Sequence, residues 1–171
     1  MRKAMRVALL AAALIVLASV LALQAGARSQ SDGNRLEATF TTSIASLTNR
    51  AADLGVVQVI VTGTGTVEGY GDATEVVGLT QDRSVTPCGA GSYSDSALRR
   101  MTVEGGVLVL WEAGMTCPTA SGLQATATYE VDGSSSTGIF AGAGGSGIVT
   151  VDTVSHTETL SGKLKLADPG A

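Results

Sequence analysis

Arg99, Trp111 and Tyr129 are the residues of this sequence best placed to recognise a small molecule. Residues 96–103 and 107–113 flank Glu104-Gly105-Gly106, which reads as a three-residue hairpin loop with glycine free to take positive φ. Pairing Val103 with Val107 sets Met101 opposite Val109, Arg99 opposite Trp111 and Ala97 opposite Ala113. A guanidinium over an indole is a cation–π pair of about 1 kcal/mol. A buried arginine needs an anionic partner, from the protein or from a ligand. This face is therefore the pocket candidate, with Arg99, Trp111 and Tyr129 lining one cavity. The blander alternative has Arg99 reaching past Trp111 to solvent, its stem laid over apolar surface.

Cys88 and Cys117 are the only cysteines. In an oxidising compartment two lone cysteines pair. The bond would close a loop of roughly 30 residues, worth about 3.5 kcal/mol in the chain-entropy picture. The rival is a catalytic or redox thiol. Against it, the sequence has no C-x-x-C and places no base beside either cysteine.

Other motifs fail on context. Residues 142–147, GAGGSG, match G-x-G-x-x-G by letters, but a dinucleotide site must open a helix and a β-branched run follows. His156-Thr157-Glu158 has the letters of a deaminase H-x-E, yet Pro87-Cys88 is not followed by the second cysteine of P-C-x-x-C. His156, the single histidine, reads as an exposed turn residue, and no metal set is found around it. There is no G-x-S-x-G elbow. Asp72, Glu75, Asp82 and Asp95 fall near turns, where carboxylates cap and solvate. A carboxylate pair for glycoside hydrolysis stays open, but nothing marks one. No catalytic residue, metal or cofactor is implied.

The elements that must position these residues are strands. Leu123, Ala125, Ala127, Tyr129 and Val131 alternate with polar neighbours, the period of a strand with one buried face. Further strands are read at 35–47, 56–67, with Gly63 and Gly65 as bends, and 72–82. Others fall at 96–103, 107–117 and 148–151, with a terminal strand around 160–166. Residues 48–54 read as a helical turn or a loop. Turn signals every eight to twelve residues and no sustained helical period mean a sandwich or barrel. Glycines crowded around Phe140 mark a sharp corner of the kind a barrel needs to close.

The N-terminus carries Arg2, Lys3 and Arg6, then an apolar run over 7–23 and Ala25-Gly26-Ala27. That order predicts a secretory signal peptide at 1–27; a retained membrane anchor is the alternative. A disordered leader at 28–34, a barrel domain at 35–167 and a tail at 168–171 follow. With Arg2, Lys3 and Arg6 removed, eight basic residues face fifteen acids, a net charge of −7. This speaks against nucleic acid as a partner and against adhesion to anionic lipid once the signal is cleaved.

Residues 137–151, TGIFAGAGGSGIVTV, resemble the T-G-x-F-x-G-A-x-G-S-G corner of the allene oxide cyclase/dirigent-type β-barrel superfamily, which includes many small secreted bacterial proteins. Residues 61–71, VTGTGTVEGYG, are similar to that family's earlier Gly-Thr-Gly hairpin. The resemblance favours a single antiparallel barrel of about eight strands over a sandwich. It also implies a trimer, consistent with a hairpin apolar on both faces, one of which must point outward. The alternative cover for that face is long side chains and the disulfide loop. The family's catalytic carboxylate and cysteine do not map onto this sequence residue by residue.

The expectation is an exported, non-enzymatic all-β barrel in the cell envelope, periplasm or medium, binding a small apolar ligand or serving as a structural protein. The second hypothesis is a cofactor-free isomerase or cyclase acting on a hydrophobic substrate. The interior discriminates: a strongly shifted carboxyl beside an apolar cavity favours the enzyme, and a filled interior favours the structural module.

Overall fold

The computed structural model describes residues 35–51 and 55–168. The expected signal peptide at 1–27 and leader at 28–34 lie outside them. Among the described residues nine strands follow in order. They are β1 (Leu36–Ala51), β2 (Val56–Val67), β3 (Gly71–Asp82), β4 (Tyr93–Val103), β5 (Gly106–Thr119), β6 (Gly122–Val131), β7 (Thr137–Gly138), β8 (Ser146–Asp152) and β9 (Thr157–Gly162). β1 to β6 pair successively, β6 pairs with β8, β8 with β9 and β9 with β1, every pair antiparallel. The ring is a closed eight-stranded barrel, and closure leaves no unpaired edge in it. The two-residue β7 adds to the start of β5. Among the described residues no helix is long and apolar enough to cross a membrane.

The alternation predicted for these strands is what fills the barrel. Leu36, Ala38 and Phe40 of β1, Met101 and Val103 of β4, Leu108 and Leu110 of β5 and Leu160 of β9 all point into one apolar core. This core occupies the end of the barrel where β1 and β5 begin. The glycine-dense corner closes that end. Phe140 and Ala143 are buried, and the Phe140 ring meets Tyr70 at 5.0 Å between centroids. An isolated bridge between Gly144 and Lys165 holds the corner against the chain's last segment, burying Leu164. The corner is thus a plug with no helix behind it.

Three local expectations change. β1 runs on through residues 48–51 as strand, because β2 offers it ladder partners as far as Ala51↔Val56. Pairing runs unbroken through Gly63 and Gly65; the register shifts lie on the β1–β2 ladder after Ile44 and Thr48. Gly63 makes room for Glu75: a Cβ there would displace that carboxyl. The terminal strand lies at Thr157–Gly162, earlier than expected, because it pairs β1 and β8 together.

The largest correction is the register of the β4–β5 hairpin. Val103 pairs with Gly106, so the loop is Glu104-Gly105 and every partner moves by one. Arg99 faces Leu110, and Trp111 faces Leu98. Because strand side chains alternate faces, a one-residue slip exchanges inside for outside along all of β5. Leu108, Leu110 and Glu112 point inward, while Trp111 stands outside, 56% exposed. The Trp111 indole donates to Asp132 Oδ2 at 3.3 Å. The outward Val109 is buried, because the segment after β6 folds over it: Asp132 N–H donates to the Val109 carbonyl and Ser136 Oγ accepts from Val109 N–H.

Cys88 and Cys117 are bonded, with Cα atoms 5.8 Å apart. The bond joins the β3–β4 loop to the end of β5, at the barrel end opposite the plug. Neither sulfur is left as a free thiol.

Candidate functional site

The half of the barrel opposite the plug is not filled. A cavity of about 330 Å³ opens there. Its walls are mainly apolar, with Val59, Val77, Ala97, Ala125 and Val149 among the lining. The small side chains leave the space: Ala97, Ala125 and Ala127 occupy inward positions that Met101, Leu110 and Tyr129 fill nearer the plug. The exposed Ile44, Leu47 and His156 stand at the mouth.

Arg99, 2% exposed, lies at the floor. Three carboxyls surround it. Glu112 of β5 takes a fork, Oε1 accepting from Nε and Oε2 from Nη2 at 3.2 Å. Glu75 of β3 accepts from Nη1 through Oε2. Glu158 of β9 makes an ion pair with Nη1 through Oε1. All three glutamates are buried. Glu75 fits because Gly63 presents no side chain beneath it.

The charges are unequal in support. Burial works against the Arg99 charge, but Glu112 and Glu158 outweigh it and hold the guanidinium protonated. Burial pushes Glu158 up to about 8; Arg99 opposes this, and the neighbouring Glu75 and Glu112 add to it. Burial also raises Glu75, against the pull of Arg99. At Glu158 burial outweighs the support from Arg99, so it is the member that keeps a proton at neutral pH. Nearer the mouth, Asp95 Oδ2 accepts from Thr116 Oγ1 at 2.6 Å while its buried Oδ1 has no partner. Burial raises Asp95 too, with Thr116 opposing.

The three residues expected to share one cavity are separated. Arg99 faces the cavity; Trp111 is on the outer surface; Tyr129 is buried in the filled half. The Tyr129 ring lies over Gly147 and Gly162, where any Cβ would collide with it. Its hydroxyl is raised to about 12, by burial and then by Glu37. The anionic partner that Arg99 requires is supplied by the protein, from a set of three carboxyls. Glu75 and Asp95, read as solvated turn residues, are instead inward residues. A signal for Glu75 was present in the sequence: it interrupts Ala73, Val77 and Leu79 on an alternating apolar face. Glu158 likewise alternates with Leu160. His156 is an exposed turn residue, as expected, with φ of 55°. Among the described residues no cluster of three or more histidine, cysteine, aspartate or glutamate side chains is arranged to hold a metal.

No family model, curated protein or solved structure matches the chain. The closed eight-stranded antiparallel barrel is found as expected; no match supports the resemblance to allene oxide cyclase and dirigent proteins.

Proposed function

We propose that this chain is an exported β-barrel protein that binds a small, largely apolar molecule in its open half. The cavity of about 330 Å³ with apolar walls carries this reading. It falls in the range of small-molecule pockets, and barrel mouths are a preferred place for them. A disulfide in a chain with a signal-like N-terminus supports export. A neutral fluorophore, N-phenyl-1-naphthylamine, tests the cup directly. Its emission is expected to rise and saturate at one molecule per chain. Ala125→Trp fills the wall and is expected to weaken binding by about tenfold or more, the cost of losing roughly 1.4 kcal/mol of contact. Equal titrations for the two proteins would place the dye elsewhere and remove the cup as the site.

Glu158 favours a second reading. A carboxyl that holds its proton to about pH 8 beside an apolar wall is suited to proton transfer. On this reading the barrel is a cofactor-free isomerase or cyclase of the allene oxide cyclase type, acting on a hydrophobic substrate. The bonded cysteines offer it no thiol, so Glu158 alone would move the proton. A hydrophobic ketone such as 4-phenyl-2-butanone should then take up solvent deuterium at its α-carbons faster with the protein than in buffer. Glu158→Gln should abolish the excess. Exchange at the buffer rate with the unaltered protein would dispose of the enzyme.

A further inference from the structure

The floor of the cup carries three carboxyls against the single cation of Arg99. Glu112 occupies the guanidinium fork and Glu75 takes an N–H of Nη1. Glu158 Oε1 is buried against Nη1 of Arg99, which Glu75 already engages. This carboxyl is part of the cavity lining. An acceptor without a donor, Asp95 Oδ1, is buried in the same lining nearer the mouth. The remaining lining guanidinium, Arg83, is at the mouth, donating to Gln81 at 3.2 Å and lying 5.5 Å from the centre of the Tyr93 ring. Three carboxyls sharing one guanidinium, with the unfilled Asp95 acceptor above them, lie at the bottom of an apolar cup.

We propose that the cup takes an organic ammonium: a primary amine with an apolar body, its N–H groups on the Glu158 carboxylate and its body against Val77 and Val149. This deepens the ligand-binding reading and rests on it. An ammonium brings three donors and one positive charge. A neutral alcohol brings one donor and no charge, and a carboxylate meets repulsion from the floor.

The proton balance is defined. Below about pH 8 Glu158 is a neutral acid. When the ammonium enters, Glu158 gives its proton to solvent and the ion pair takes its place, one proton released for each amine bound. Arg99 from β4, Glu75 from β3 and Glu112 from β5 are the charged groups facing Glu158. The flanking strands β1 and β8 set uncharged Phe40 and Val151 in register beside it. His156, Asp152, Asp95, Tyr93 and Arg83 complete the ionisable lining toward the mouth.

Titration calorimetry on the exported full chain with 2-phenylethylamine, 2-phenylethanol and phenylacetate tests this between about pH 6 and 8.5. The amine is expected to bind about tenfold or more tighter than the alcohol at the upper end. Its affinity should rise about tenfold per pH unit at the acid end and level off above about pH 8, as one proton is linked to binding. Phenylacetate should bind most weakly. Glu158→Gln should keep the alcohol's affinity, flatten the amine's pH dependence and remove most of its advantage. Amine and alcohol binding equally, or amine affinity independent of pH, would overturn the ammonium and leave the cavity standing. None of the three binding would overturn the cavity reading itself.

Discussion

Arg99→Met is expected to destabilise the barrel by about 3–5 kcal/mol at neutral pH, the usual cost of leaving buried charge without its partner. Three buried carboxyls would then face one another with no cation between them. They can relieve this only by taking up protons, so most of the lost stability should return near pH 5. Urea unfolding monitored by Trp111 fluorescence at the two pH values measures both effects. The compensated variant Arg99→Met/Glu75→Leu/Glu112→Met should recover much of the loss, because a packed apolar layer is commonly as stable as a buried ion network. Equal midpoints for Arg99→Met and the parent at pH 7 would mean that Arg99 is hydrated rather than enclosed.

The unaltered protein should itself be more stable at pH 5 than at pH 8. The carboxyl of Glu158 lies at about 8 in the folded chain against an ordinary 4.5. The folded state therefore binds this proton more tightly than the unfolded chain does. The resulting stabilisation is fully present below about pH 4.5 and is lost as pH rises through about 8. Linkage over that interval is worth on the order of 4 kcal/mol. Glu75 and Asp95, also raised by burial, tilt the curve the same way. Asp82, Asp132 and Asp152 are held low by hydrogen bonds from Ser84, Ser134 and the Ser155 backbone, and they act only at more acid pH. Glu158→Gln should flatten most of the decline and be the more stable protein at pH 8. A flat wild-type profile between pH 5 and 8 would show that Glu158 is ionised throughout.

Both expectations rest on side chains that the sequence presents without their partners. Most strands were legible, since alternation such as Leu123 to Val131 has one structural meaning. So was the disulfide, because two cysteines allow one pairing. The Phe140 corner was legible as a corner, but not as the plug that leaves the opposite half open. Arg99 stood out as a cation that would need an anion if its face were interior, with reach to solvent as the alternative. The identity of that anion was not legible, because Glu75, Glu112 and Glu158 come from three other strands, and their approach exists only once the barrel closes.

The β4–β5 hairpin shows where local reading stops. Glu104-Gly105-Gly106 permits a two- or a three-residue loop, and both registers put apolar residues on each face. Gly106 is committed by a distant contact, since a Cβ there would strike the Thr137 carbonyl of β7. That single step sends Trp111 outside and Glu112 inside. The amino-acid sequence alone determined that this chain forms antiparallel strands, that they close on small and branched side chains, and that Cys88 meets Cys117. Tertiary structure alone decided which faces point inward, and hence that three glutamates share one arginine beneath an apolar cup. Strand period is a property of neighbouring residues, whereas register and charge balance are properties of strands brought together.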